Sequence, residues 1–247
     1  MQRPVKVPGS DRDVVKSLYV HVRYSITDTD PYRIAGMNAS QFTRATPHVI
    51  IWLAVQTFVV VALGVLLGGE SLRSVVMTAS LAIIALRMAV TVLMLLPRPM
   101  PASEAFVVGL WLLIIYITFG LLSLRNPEPF GVWGWIGLAL FIEGSFINTV
   151  SEFQRLRFKR KPENRGKLYT GGLFSFAMHI NYTGDIELAI GAALIAGHWL
   201  AGLIPVAMAA LFVFVHIPRL DAHLAQKYGQ DFQRYRESTA KLIPWIY

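Results

Sequence analysis

The chain has 247 residues, 54% of them hydrophobic and only 15% charged, where a soluble domain carries roughly 25% charge. Its formal net charge of +8 does not require a nucleic acid partner, because the cations gather in short segments between long apolar blocks, the pattern of a cytoplasmic membrane face. The absence of cysteine excludes disulfides, thiolate nucleophiles and Cys-ligated zinc or iron–sulfur centres.

Residues 1–46 are polar and lack the apolar core of a signal peptide. They are expected to form a cytoplasmic lead with helical character at Asp11–Val22, leaving membrane entry to an internal helix. A helix needs about twenty apolar residues to span the hydrocarbon core. Blocks of that kind run over 47–68, 75–97, 104–124 and 131–150, and Gly171–Gly197 and Trp199–Ile217 follow. The expected fold is therefore all-α, a polytopic membrane domain of six transmembrane helices over residues 47–247. Between the second and third blocks, "LPRPMPAS" (Leu96–Ser103) reads as a proline-punctuated loop. After the sixth block, helical spacing continues to Tyr228, breaks at Gly229 and resumes in a short helix before Pro244. That amphipathic tail is expected at the membrane surface, with Trp245, Ile246 and Tyr247 at the interface.

Seven cations between Arg155 and Lys167 crowd the fourth connection, and Arg219, Lys227, Arg234, Arg236 and Lys241 follow the sixth helix. The connections after helices one, three and five are short and nearly neutral. The positive-inside rule places both termini and the basic loop in the cytoplasm, which an even number of spans accommodates.

Several polar residues interrupt the apolar blocks, where ionisable groups are costly and call for a partner or a function. Asn181 and Asp185 are four apart and share one face of the fifth helix, whereas His179 precedes that face and Glu187 points elsewhere. Ser145, Asn148 and Glu152 form a second polar stripe down the fourth helix. Interhelical hydrogen bonding accounts for such residues in many bundles, and Glu152 also fits an interfacial charge. Arg87 lies mid-helix, about ten residues from either end, where snorkelling is difficult. Two readings are open for it: a structural ion pair with the deep Glu143, or a functional cation. No G-x-G-x-x-G after a strand and no G-x-x-x-x-G-K-[ST] occurs, so a nucleotide would have to be held between helices and basic loops. The six histidines show no metal-ligand spacing.

Three ordered motifs resemble the steroid 5α-reductase family and the related sterol C=C reductases, with the likeness concentrated in residues 138–247. They are Gly172-Leu173-Phe174 followed by His179-Ile180-Asn181-Tyr182-Thr183-Gly184-Asp185; Ile147-Asn148-Thr149-Val150-Ser151-Glu152; and Arg219, Asp221, Lys227-Tyr228-Gly229, Phe232, Tyr235 and Ile243-Pro244-Trp245-Ile246-Tyr247. The resemblance implies NADPH bound on the cytoplasmic side of the bundle. The cofactor contacts it implies are Asn148, Glu152, Lys167, Asn181, Asp185, Arg219, His223 and Tyr228, with Arg98 added by the Arg-Pro pair Arg98-Pro99. On the substrate side the sequence departs from the family. "IIAL" precedes Arg87 where a Tyr is usual, and Gln56-Thr57 keeps only the Gln of a Gln-Glu pair.

These features predict hydride transfer from NADPH to the electron-poor β-carbon of a lipophilic enone or alkene. Arg87, Glu143 and Tyr116 are the groups available to stabilise the enolate and supply its proton, Glu143 as a neutral acid if buried. A second reading is an S-adenosylmethionine-dependent methyltransferase of the isoprenylcysteine carboxyl type, which shares the His-x-x-Tyr-x-Gly element and an amphipathic tail. Asn181, Asp185 and Lys227-Tyr228-Gly229 favour the reductase. A third is a non-catalytic membrane protein whose polar faces serve assembly or lipid binding. A compact chain without a long N-terminal region points to a bacterial inner membrane.

Overall fold

A computed structural model describes residues 46–247 except 70, 97, 245 and 247. Those in 46–96 and 100–246 belong to one compact unit, and Arg98 and Pro99 fall outside it. The proposed helix at Asp11–Val22 lies outside the described residues, as do Trp245 and Tyr247 of the interfacial tail; Ile246 is exposed.

The described residues contain helices and no strand. Helix α1 (Pro47–Leu67) opens on a proline, whose fixed φ suits the first turn. It ends at Gly68, whose left-handed φ of 70° lets its N–H reach the carbonyls of Gly64 and Val65. Helix α2 (Leu72–Val90) is capped by the Ser71 hydroxyl, which accepts from the Ser74 N–H, and runs on into a π-helical turn at Thr91–Leu95. Helices α3 (Ala102–Leu124) and α4 (Val132–Lys159) follow. Helix α5 (Ile180–Ala196) ends at the left-handed Gly197. Helix α6 (Leu203–Leu211) passes through a π-helical turn at Phe212–His216 into α7 (Ile217–Tyr228). Gly229, at a φ of 54°, breaks the chain as the sequence suggests, and α8 (Gln230–Ser238) completes the tail.

Five of these helical stretches are long and apolar enough to cross a membrane: Pro47–Leu67, Leu72–Leu95, Ala102–Leu124, Val132–Lys159 and Trp199–Tyr228. Their outward faces carry Phe58, Val65, Phe106, Trp133, Phe146 and Phe214, each more than half exposed. So large an apolar surface is a liability in water and the normal condition in lipid. The protein is a multi-pass integral membrane protein.

The fifth expected span needs correcting. Gly171–Gly197 is not one helix, because its first nine residues form a 3₁₀ turn at Gly172–Ser175 and an irregular entry to α5. Gly172 sits at a φ of 59°, which a right-handed helix excludes. The N–H groups of Met178 and His179 turn instead to the carbonyls of Ala240 and Lys241, at 2.8 and 3.0 Å. The Thr183 hydroxyl donates to the Leu242 carbonyl. Residues 240–242 thus form a strap across the start of α5 and satisfy donors that a helix beginning there leaves orphaned. At 17 residues, α5 is about 26 Å long, slightly under the hydrocarbon thickness, and it packs against α2, α3, α4 and α6.

Most of the packing around α5 is with α4, at backbone contact. A Cβ built on Gly144 would run into the Gly184 carbonyl oxygen, and one on Gly191 into the Phe141 backbone nitrogen. Gly137, Gly144, Gly184 and Gly191 form the seam, a use of small residues that suits lipid, where no hydrophobic force drives helices together.

The far end of α5 is stapled. Arg73, 6% exposed at the start of α2, donates to the carbonyls of Ile195 (2.6 Å), Glu128 (3.3 Å) and Pro129 (3.0 Å). Asn126 donates to the Gly197 carbonyl at 2.9 Å. Arg73→Met leaves those three carbonyls short of a donor and is expected to lower stability by about 2–4 kcal/mol, read as a fall in the unfolding midpoint in detergent.

Candidate functional site

The seam fixes the register in which α4 and α5 present their polar faces. Asn148 and Glu152 on α4 and Asn181 and Asp185 on α5 are each spaced by four, so each pair lies along one face of its helix. Close packing joins the two faces. Asn148 Nδ2 donates to the Asn181 carbonyl at 3.0 Å, and Asn181 Nδ2 donates to Glu152 Oε1 at 3.0 Å. The other carboxylate oxygen of Glu152 is held by Arg155. All four residues that the sequence singles out here are brought together.

Arg87, from α2, makes a second set of contacts beside the first. Its Nε donates to Thr149 Oγ1 at 3.2 Å and a terminal nitrogen to Asp185 Oδ1 at 3.3 Å. The Arg87 and Asp185 side chains are 17% and 32% exposed, so the pair is sheltered yet open on one side. The alternative ion pair between Arg87 and Glu143 does not form. Glu143 precedes Thr149 by six residues on α4, which sets the two about 120° apart around the helix. Its carboxyl lies near that of Glu187 on α5 instead. Tyr116 is fully buried in the main apolar core, its hydroxyl without a hydrogen-bond partner among the described residues. No hydrogen bond or ion pair among the described residues links Arg87, Glu143 and Tyr116 to one another.

The tail supplies the other wall. His179, 1% exposed, places Nε2 at 2.8 Å from Asp221 Oδ1, which ties α7 to the entry of α5. The His179 ring stacks on Tyr182, and Tyr182 on Phe212 with centroids 4.4 Å apart. The π-helical turn that carries Phe212 aims it into this stack, a use of local underwinding frequent at functional sites. Lys159 links two further candidates, donating to the Tyr228 hydroxyl at 2.9 Å and to the Lys167 carbonyl at 2.6 Å. The Lys167 and Arg219 side chains are exposed, and His223 is half-buried. Arg98 donates to the neighbouring Pro99 carbonyl at 3.3 Å.

A groove of about 440 Å³ opens at this basic end, lined by Lys167, Leu168, Asp231, Arg234 and Tyr235 among others. The Tyr235 hydroxyl donates to the Phe174 carbonyl at 2.5 Å. Burial, with Tyr169 adding to it, raises the pKa of that hydroxyl above the ordinary phenol value, so it stays a donor and fixes α8 to the Gly172–Ser175 turn.

Thr149, Lys159 and the His179–Asp221 pair are the parts that sequence reasoning does not single out. Thr149 lies within the Ile147–Glu152 motif and Asp221 within the tail motif, so the signal is present there; Lys159 is one cation among seven.

The arrangement is a row of amides and carboxylates flanked by guanidinium and ammonium groups, at the end of an apolar bundle. Comparison with known proteins agrees with this picture. Residues 104–239, more than half of the chain, match the family described as protein of unknown function (DUF1295). Among curated relatives, 7-dehydrocholesterol reductase of Danio rerio is 28% identical over 159 residues, covering 54% of this chain and 32% of that protein. Rattus norvegicus 3-oxo-5-alpha-steroid 4-dehydrogenase 1 is 32% identical over 146 residues, covering 55% of this chain and 54% of that protein. A probable O-methyltransferase of Ustilaginoidea virens, ustE, is 37% identical over 93 residues, covering 37% of this chain and 32% of that protein. The chain thus spans between a third and about half the length of these relatives. It belongs to the DUF1295 family and is steroid 5α-reductase-like.

Proposed function

We propose that the protein is an NADPH-dependent reductase of an activated C=C bond in a lipophilic substrate, working in a bacterial inner membrane. The observation that carries this reading is a pair of adjacent hydrogen-bonded sets on three helices, Arg87 with Thr149 and Asp185, and Asn148 with Asn181 and Glu152, all but Arg87 in the motifs that resemble the reductases. The donor set fits the cofactor. The carboxylates and amides offer acceptors and donors to sugar hydroxyls and a carboxamide, and Arg155, Lys167 and Arg219 offer charge to phosphates. When bound, the cofactor supplies the hydride. The chain's own part is to orient the acceptor, exclude water and stabilise the charge that develops on it. Of the three catalytic candidates, Arg87 has the best support, since its guanidinium is held by Asp185 and Thr149. Glu143 and Tyr116 remain as proton donors only if the substrate reaches beyond those contacts.

The named relatives support a reductase at family level, and the ustE match favours a second reading, an S-adenosylmethionine-dependent methyltransferase. Thermal unfolding of the purified chain with each cofactor separates the two. NADPH at a hundred times its Kd is expected to raise the midpoint by about 5–10 °C, and S-adenosylmethionine to leave it unchanged. A shift with S-adenosylmethionine alone reverses the assignment. A shift with neither at millimolar concentration removes both.

A further inference from the structure

Away from this site, the opposite end of the bundle carries a feature of its own. Helix α4 separates the two ends: Arg125 lies just before its start and Lys159 closes it, about 40 Å along the axis. Near Arg125, α3 and the beginning of α6 diverge and leave a trough of about 380 Å³. Ile117, Leu121 and Leu122 form one wall, and Leu203 and Ile204 the other. Ile117, Leu121 and Leu203 are each more than 40% exposed, so the trough opens sideways to the bilayer.

From Ile117 to Arg125 the α3 wall is eight residues long, about 12 Å. One leaflet of hydrocarbon is about 15 Å deep. A chain lying in the trough from headgroup level would therefore be covered for most of its leaflet. At the upper edge Arg125 lines the trough and is exposed. Arg73, the other cation among the described residues of this end, is buried in the staple on α5 and has no share in this surface.

We propose that this trough binds an anionic phospholipid, with one acyl chain between α3 and α6 and the phosphate on Arg125. The physical argument separates the two contacts. Lipid tails are as apolar as leucine, so an acyl chain gains little by exchanging bulk lipid for the trough walls. Selectivity must come from the headgroup, where a planar guanidinium can hold two phosphate oxygens at once. The site thus discriminates headgroup charge and is indifferent to chain chemistry.

The test compares phosphatidylglycerol with phosphatidylcholine of the same acyl chains, added to the full chain in non-ionic detergent. Phosphatidylglycerol is expected to raise the unfolding midpoint by about 5 °C or more beyond phosphatidylcholine once its site is saturated. Arg125→Gln loses that excess, and Arg125→Lys keeps part of it. Leu121→Trp fills the trough while leaving the cation in place, and also loses the excess. Arg236→Gln removes one exposed charge at the basic end and keeps the excess in full. Native mass spectrometry of the wild type retains one phosphatidylglycerol, and of Arg125→Gln none. Equal midpoint shifts for the two lipids overturn the proposal. So does an equal loss in Arg236→Gln, which would mean diffuse attraction, or the full effect from glycerol phosphate, which would mean a free-anion site. A lipid-free dimer in the mass spectrum overturns it as well, since a second copy would then cover the trough.

Discussion

Replacing Asp185 with asparagine is expected to weaken NADPH binding about 10–100-fold and to lower turnover at least as much. The variant keeps the size of the side chain and removes its charge. Asp185 is the acceptor through which Arg87 is held on α5, at 3.3 Å, while Thr149 holds the same guanidinium on α4 at 3.2 Å. A hydrogen bond to a charged group contributes about 1.5–3 kcal/mol, and 1.4 kcal/mol is a factor of ten in affinity. Loss of the carboxylate also leaves Arg87 partly sheltered with a neutral partner, so the guanidinium is no longer held in one position for substrate or cofactor. Arg87→Gln is expected to cause a similar loss. Because the two side chains act as a unit, the double variant should lose little more than the worse single one. Equilibrium titration of NADPH against the four proteins measures this directly. Additive losses would mean that the two residues serve separate ends. Wild-type affinity in Asp185→Asn would remove this pair from the cofactor site altogether. The unfolding midpoint of the ligand-free variants, expected within a few degrees of wild type, keeps a folding defect from passing for a binding defect.

Much of this site is legible in the amino-acid sequence, and the limits of that legibility are physical. Five of the six blocks that hydropathy marks become helices of membrane-spanning length, because the bilayer imposes one length and one composition on every crossing. The same signal overextends the helix ending at Gly197. Gly171–His179 is apolar enough to span, and composition does not register that Gly172 has a positive φ or that Ala240–Leu242 supplies its neighbours' hydrogen bonds. The strap pairs through backbone, so its side chains give no sign of it; the sequence presents the tail only as an interfacial segment. Four-residue spacing correctly groups Asn148 with Glu152 and Asn181 with Asp185, because helical geometry alone decides which residues share a face. It says nothing of which face meets which. Arg87 finds Asp185, 98 positions away, rather than Glu143, and the reason is the α4–α5 seam, which turns Glu143 toward Glu187. The glycines of that seam are visible in the sequence, seven apart on each helix (Gly137 and Gly144, Gly184 and Gly191). Their meaning depends on the partner helix.

That seam also carries the largest stability effect expected of a single substitution. Gly184→Val should unfold the helix pair or leave too little folded protein to assay. A Cβ at this position meets the Asn148 backbone nitrogen and the Gly144 carbonyl oxygen, each at 2.7 Å. Both are backbone atoms of α4, so no side-chain rotation relieves the contact, and the helices must separate. Inserting bulk into a packed interior costs about 1–3 kcal/mol when side chains can adjust, and more when they cannot. Separation would also break the Asn148 and Asn181 hydrogen bonds that close the site, so cofactor affinity falls with stability rather than independently of it. Gly184→Ala, carrying the Cβ alone, is the graded version and is expected to lower the unfolding midpoint by several degrees while weakening NADPH binding. Gly202→Ala is the matched control, because a Cβ there meets nothing within 4 Å and the residue sits at a right-handed φ of −62°. Its midpoint should stay at or slightly above wild type, since alanine restricts the unfolded chain more than glycine does. If Gly184→Ala behaves like Gly202→Ala, α4 and α5 do not touch at backbone distance, and the register that brings Asn148 to Asn181 has to be set elsewhere.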